Sequence, residues 1–431
     1  MLLLNRIRQK DKLVYPNQES SSILNPLFPD VRFAVISDLH YYNLSLGVSG
    51  AAFEKNLHQD RKLLKESADL IDLAVNHIAK SEAEFVLIPG DLTKDGEKIG
   101  HLELVKLLEK LRTAGKDVYV IPGNHDLNMY FGARKFVGDR SESAETLAAS
   151  EFADLYHNYG YDQAIERDDH SLSYVAELKE NLWLFSIDTC SYKGNTSSFD
   201  YVGSKISQNQ VDWLARMLQK AAEERKAVMA MIHHGVVEHW IGQSILHSDY
   251  LVEDYRKFSR FLASYGVRLV FTGHYHAQDI ARADFEEGAF IYDIETGSLI
   301  TPPCPLRLCK IKDNRIEIES KTILESYRPG SGFAEVAFTF LQKTFELEII
   351  SALKKYRISD QDAALIGRHL ASAFIAHSLG DEKSENRPVL KENDLGLWAR
   401  FVYKRLSKYL DALWHNEGPA DLNVVLNLGK D

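Results

Sequence analysis

Five short stretches of this chain place metal-capable side chains directly after apolar runs. They are Asp38-Leu39-His40, Gly90-Asp91, Gly123-Asn124-His125-Asp126, His233-His234 and Gly273-His274-Tyr275-His276. The runs before them, residues 32–37, 85–88, 118–121, 227–232 and 269–272, read as buried strands. In an open α/β sheet, ligands gather beyond the carboxyl ends of the strands, so these five loops can converge. Asp91 is the pivot, because its two oxygens can bridge two cations that the other side chains would complete. Such a two-metal centre acidifies a bridging water. Each stretch alone is weak, since a lone Asp-x-His is common by chance. If their segments are extended, Asp38 with His40 and His274 with His276 share a side, whereas His233 and His234 point to opposite faces. Asn124 and Asp126 suit a hydrophilic turn, but His125 between them is less expected there.

The elements that must position these residues alternate strand and helix. Leu64, Ala68, Ile71, Val75 and Ile78 mark an amphipathic helix over about residues 60–80, and Leu104 to Leu111 mark another, closed by Gly115. Residues 41–58 read as a loop. Ser207 with Gln210 signals a capping box for a helix through Val211, Leu214 and Leu218. Past residue 320 the pattern becomes helical, with apolar stripes from Phe333 to Leu353, around Leu370, and from Trp398 to Leu413. Residues 1–30, with a Ser20-Ser21-Ser22 cluster, read as an arm.

The length of 431 residues exceeds one ordinary domain, and 45% hydrophobic content places the chain among globular proteins. Lys and Arg number 51 against 62 Asp and Glu, a net charge of −11 with no basic run, which argues against nucleic acid as the ligand. Cys190, Cys304 and Cys309 lack framework spacing and read as reduced structural thiols. No signal-peptide core follows Met1 and no apolar run suits a bilayer, so no membrane partner is expected and the cytoplasm is the default compartment.

Taken together, the five motifs resemble those of the calcineurin-like metallophosphoesterases, in that family's order and over roughly residues 31–320. Gly90-Asp91-Leu92-Thr93-x-x-Gly96 and the paired histidines look most like its class III cyclic-nucleotide phosphodiesterase branch. The resemblance implies a four-layer α/β/β/α sandwich over residues 31–324, with a helical appendage at 325–431. It implies one ion on Asp38, His40, His276 and the shared Asp91, and a second on Asp91, Asn124, His233 and His274. Imidazole, carboxylate and amide donors suit Mn, Fe or Zn. His125 is then the candidate to protonate the leaving alkoxide, with Asp126 orienting its ring. Asn124 and His125 are expected at the substrate, and His234 in a supporting or core role, with substrate contact the lesser alternative.

The implied activity is metal-dependent hydrolysis of a small phosphodiester, cyclic nucleotides first, by attack of a water bridging the ions. A monoesterase, nucleotidase or nuclease of the same family is the alternative. A non-catalytic scaffold ranks a distant third, because all seven ligand positions and His125 are present. Lys94 is the nearest cation in sequence to the motifs, and an acidic neighbourhood suits a diester's single charge better than a monoester's two. The stripes of the appendage must be buried, either beside the metal edge or across a homodimer interface.

Overall fold

The computed structural model describes residues 13–16, 27–58, 60–415 and 418–429. In chain order the strands are β1 (Val31–Val35), β2 (Phe85–Ile88), β3 (Asp117–Val120), β4 (Arg134–Val137), β5 (Arg140–Ser143), β6 (Ala164–Arg167), β7 (Tyr174–Lys179) and β8 (Leu182–Ile187). They continue with β9 (Ala227–Ile232), β10 (Leu269–Thr272), β11 (Asp279–Asp284), β12 (Phe290–Glu295), β13 (Pro305–Lys312), β14 (Arg315–Thr322) and β15 (Asn423–Asn427). The helices are α1 (Ala51–Leu57), α2 (Ser67–Ala79), α3 (Lys98–Thr113), α4 (Ala149–Leu155), α5 (Gln208–Glu223), α6 (Gln243–Leu246), α7 (Tyr255–Ser264), α8 (Phe333–Lys355), α9 (Asp360–Leu379) and α10 (Leu397–Ala412).

Two sheets carry the site. One runs β15-β14-β13-β1-β2-β3 and the other β11-β12-β10-β9-β8-β7-β6. β1, β2 and β3 pair in parallel, as do β8, β9, β10 and β12. Parallel strands covered on both faces need apolar residues at every position, and β9 shows how they divide. Ala227, Met229 and Met231 join the large core that also holds β1 to β3, while Val228, Ala230 and Ile232 pack with α5 and α7. Phe33 of β1 meets Phe271 of β10 edge to face, with centroids 5.3 Å apart, so the sheets lie face to face. The result is a two-sheet sandwich flanked by helices, with further helices C-terminal to it.

Several expectations need adjustment. Residues 51–57, read as loop, form α1, which buries only Phe53 and so shows little periodicity. The helix expected from residue 60 begins at Ser67, after a single 3-10 turn over Leu64–Glu66. Ser207 Oγ accepts the Gln210 N–H at 3.2 Å, but the Gln210 side chain does not return to the cap. It donates instead to Ser173 Oγ and the Asp188 carbonyl, tying α5 to the second sheet. Most of the 1–30 arm lies outside the described residues. Its described piece packs on the core, with Tyr15 against Phe258 and Phe261 and Val14 bonded to Gln208. All three cysteines are free and buried.

The C-terminal segment is not a separate body. α8, α9 and α10 share a core with Trp240, Tyr275 and Ala277, which lie in the loops after β9 and β10. After α10 the chain re-enters the first sheet as β15, antiparallel to β14 with Ile316 opposite Leu426. A boundary at 325 therefore cuts through one sheet. The pattern of β15 hides this, since only Leu426 of its five residues is buried.

Candidate metal centre

Asp38, His40, Asp91, Asn124, His233, His274 and His276 all lie at the carboxyl ends of parallel strands β1, β2, β3, β9 and β10. The structure brings them together. Donor atoms of Asp38, His40, Asp91 and His276 lie within 4.8 Å of one another, and so do those of Asp91, His233 and His274. Asn124 joins the second group, its Oδ1 2.9 Å from His233 Nε2. Asp91 divides between them: Oδ2 is 3.5 Å from His40 Nε2, and Oδ1 is 3.5 Å from His233 Nε2.

The backbone achieves this by a route that strand alternation does not describe. Asp38, His40, Asp91, His274 and His276 all have positive φ, between 38° and 73°. Such left-handed conformations are uncommon for side chains of this kind and cluster at functional sites. The loops hold one another in place, with the Asp38 N–H bonded to the Gly90 carbonyl and that of His40 to Asp91. Glycines make the close approach feasible. A Cβ at Gly123 would stand 2.1 Å from Asp91 Oδ1, and one at Gly273 2.3 Å from Asp38 Oδ2.

Hydrogen bonds select the ring atoms offered. His233 Nδ1 lies 2.8 Å from the Pro89 carbonyl, which requires its proton and turns Nε2 toward Asn124 and Asp91 as the atom offered to a metal. His234 is the opposite case. Its Nδ1 meets Thr189 Oγ1 and its Nε2 the Val202 carbonyl, so both nitrogens are occupied and the buried ring has no free atom for metal or substrate. His40 and His276 bring their Nε2 atoms to 3.1 Å, beside Asp38 Oδ1 at 3.2 Å from the latter, and both Nδ1 atoms are buried without a partner. Electron-rich atoms this close repel unless a proton or a cation lies among them, and with both Nδ1 atoms unpartnered the donor set fits a cation.

Charge states agree with that fit at His40, His274 and Asp91 but not at His233, where burial would lower the ring yet Asp91 outweighs it and pushes it up to about 9, so a cation must displace its second proton. Burial, and then Lys62, hold His40 well below the usual imidazole range; burial, and then His234, do the same for His274. Burial would raise the Asp91 carboxyl, but His233, His125 and His40 outweigh it and hold it well below the carboxylate range. Neutral imidazole and ionised carboxylate are the ligating forms.

His125 and Asp126 separate. The His125 side chain is 28% exposed at the cleft, its Nδ1 2.8 Å from Asp95 Oδ1, and its backbone N–H donates to Asp91 Oδ1 at 2.8 Å. Asp126 does not orient this ring, contrary to expectation. Its carboxylate turns inward and accepts the N–H groups of Leu92, Thr93 and Gly123, together with the Thr93 hydroxyl. Adjacent residues in a tight turn point apart, so sequence adjacency chose the wrong acid and Asp95 takes the place. Asp126→Ala is expected to lower stability by about 3–5 kcal/mol, since three buried N–H donors would each lose a partner worth roughly 1–3 kcal/mol. Urea denaturation measures it.

The cleft above the centre encloses about 270 Å³ and is lined by Asp91, His125, His274 and His276 among others. Its rim carries Arg61, Lys62 and Lys94, so Lys94 is not the sole cation near the motifs. Each faces a carboxylate. Lys62 Nζ is 3.7 Å from Asp60 Oδ1, Lys94 contacts Asp95, and Arg61 senses Glu348 of α8. Arg61 also lies 4.7 Å over the Phe345 ring, so α8 supplies part of the wall. Sequence reasoning missed Arg61, Lys62 and Glu348 because they lie in no motif and no strand end.

No curated protein matches this chain. Among solved structures, it is similar to a dimetal phosphatase from Danio rerio, with 15% identity and a TM-score of 0.48, covering 69% of this chain and 97% of that one. It is also similar to the purple acid phosphatase PPD1 from yellow lupin (Lupinus luteus) seeds, with 10% identity and a TM-score of 0.42, covering 68% of this chain and 52% of that one. The NAD nucleotidase of Haemophilus influenzae gives 9% identity and a TM-score of 0.35, covering 68% and 49%. Among the described residues no helix is long and apolar enough to cross a membrane. Residues 31–278, more than half the sequence, match the model of the calcineurin-like phosphoesterase family, and the chain belongs to that family.

Proposed function

We propose that this protein hydrolyses small phosphodiesters, with cyclic nucleotides the first class to try, at a dinuclear metal centre. The observation that carries the reading is the division of Asp91, whose two oxygens face two separate donor groups. Asp38, His40, His276 and Asp91 Oδ2 would hold one ion, and Asp91 Oδ1, Asn124, His233 and His274 the other. The mixed nitrogen and oxygen donors suit Mn, Fe or Zn. When bound, such a pair supplies an acidified water and neutralises charge on phosphoryl oxygens.

The chain's own residues do the rest. Asp91 is kept ionised, and Pro89 fixes the His233 tautomer. Asp95 holds the Nδ1 proton of His125, leaving Nε2 to give a proton to the departing alkoxide. The His125 pKa is raised: burial and Lys62 would lower it, but Asp91 and the Asp95 hydrogen bond and charge outweigh them. A raised imidazole pKa suits an acid.

The diester preference rests on charge. Arg61, Lys62 and Lys94 each already face a carboxylate, so none stands unmatched for the second charge of a monoester. The monoester reading is favoured by Lys62, whose 3.7 Å contact with Asp60 leaves room for a phosphoryl oxygen to compete. One unmatched charge at about 4 Å is worth roughly 1–4 kcal/mol between bulk water and a protein surface. Bis-(nitrophenyl) phosphate is therefore expected to exceed nitrophenyl phosphate in kcat/KM by about tenfold or more with each of Mn, Fe and Zn. A consistent monoester preference would overturn the diester reading and leave phosphoester hydrolysis.

A further inference from the structure

A second set of chemistry-bearing side chains is sealed between the sandwich and the C-terminal helices. His239, from the loop after β9, meets Asp279 at the start of β11, with Nδ1 3.0 Å from Oδ1. His377, near the end of α9, sits against the other Asp279 oxygen at 3.4 Å and against Glu382 Oε1 at 2.7 Å. Asp293 and Glu295 of β12 close the far side, 3.4 and 3.7 Å from His239 Nε2. No side chain in the set is more than 10% exposed.

Two observations set this cluster apart from an ordinary ion-pair network. The first is the crowding of acids. The carboxyl groups of Asp279, Asp293, Glu295 and Glu382 face two imidazoles, and burial pushes Glu295 up to about 8. Arg307 lends its charge to Asp279, while its guanidinium donates to the Glu295 and Asp421 carbonyls and to the Thr296 and Ser320 hydroxyls. The second is the orphaned atoms. Glu382 Oε2 and His377 Nε2, on side chains each 2% exposed, have no hydrogen-bond partner. Asp293 and Glu295 are satisfied by backbone N–H groups of Val236, Val237 and Ala277. Among the described residues the Asp279 and Glu382 carboxylates meet no backbone donor, and they remain available as ligands.

We propose that Asp279, His377 and Glu382 bind a further divalent cation of the zinc or manganese class, separate from the dinuclear centre. One donor atom from each lies within 4.8 Å of the others. Two ligands at about 2.0–2.1 Å in a tetrahedral array stand ~3.4 Å apart, which is the His377 to Asp279 separation. The shorter His377 to Glu382 contact must open on binding. Two carboxylates with one imidazole favour a borderline transition metal over Mg or Ca. The ion would give Glu382 Oε2 a partner. It would also fasten the end of α9 to the segment that follows His274 and His276, where the Gln278 N–H already donates to the Ser378 carbonyl. Its role is to hold the helices to the sandwich, not to touch substrate.

The test counts metal in the full chain after incubation with zinc or manganese alone and dialysis. Three equivalents are expected for the natural sequence, two for Glu382→Gln, one for Asp91→Ala and none for the double variant. Glu382→Gln should keep kcat on nitrophenyl esters within about twofold and lose the thermal stabilisation that the third equivalent gives. Circular dichroism establishes that each variant is folded. If Asp91→Ala fails to fold, the comparison of natural chain with Glu382→Gln decides alone. Equal metal content in those two overturns the proposal. One equivalent lost on Glu382→Gln but none on Asp91→Ala would instead uphold this site and overturn the dinuclear reading.

Discussion

Asp91→Ala is expected to yield a folded chain that has lost both ions of the dinuclear centre and hydrolyses phosphoesters at least about 10³-fold more slowly. The magnitude follows from the several kcal/mol that metal ions contribute to transition-state charge stabilisation, at ~1.4 kcal/mol per tenfold. No other ligand should show this double loss, because Asp91 alone divides its oxygens between the two donor groups. His276→Ala, by comparison, removes a donor from one group only. Elemental analysis with steady-state kinetics reads both quantities on the same sample. Asp91→Ala with both ions retained would show that the carboxylate does not bridge, whatever the activity did.

His125→Ala should separate binding from chemistry. Its ring belongs to neither donor group, and its N–H to Asp91 Oδ1 is a backbone bond that alanine keeps. Metal content should therefore be unchanged. General acid assistance is typically worth about 10²–10⁴-fold, so kcat on an alkyl ester should fall by that factor. A nitrophenyl leaving group needs little protonation, and its kcat should fall far less. Asp95→Asn should reproduce a fraction of the same pattern, because Asp95 orients Nδ1. Equal losses for alkyl and nitrophenyl esters would show that the ring stabilises charge on phosphorus and does not donate a proton.

The ligand residues were legible in the sequence because each follows an apolar run broken by glycine or a polar residue, and parallel strands deliver their ends to one edge. Extended alternation does not account for Asp38 with His40, or for His274 with His276, which converge through left-handed backbone. Local pattern also misled at Asp126, where a neighbour in sequence points into the loop while Asp95, thirty residues away, reaches the His125 ring. Arg61, Lys62 and Glu348 were not legible at all. Their meeting at the cleft depends on how α8 packs against the loop before α2, which periodicity cannot report. β15 was missed for a related reason, since an edge strand with one buried residue carries almost no alternation.

That edge strand bears on how the molecule is built in time. β1, which leads to Asp38 and His40, pairs on one side with β2, close in sequence, but on the other with β13, where Val31 stands opposite Ile311. β14 in turn waits for β15, with the whole of α8, α9 and α10 between them. Contacts so distant along the chain must meet loop-closure entropy before they return any stabilisation, and topologies rich in them fold slowly. Until the distant strands arrive, β1 presents an unpaired apolar edge of the kind that drives association between chains. The yield of active protein is then governed by the rate at which remote pieces of one sheet find each other, and the catalytic edge is completed among the last parts of the molecule.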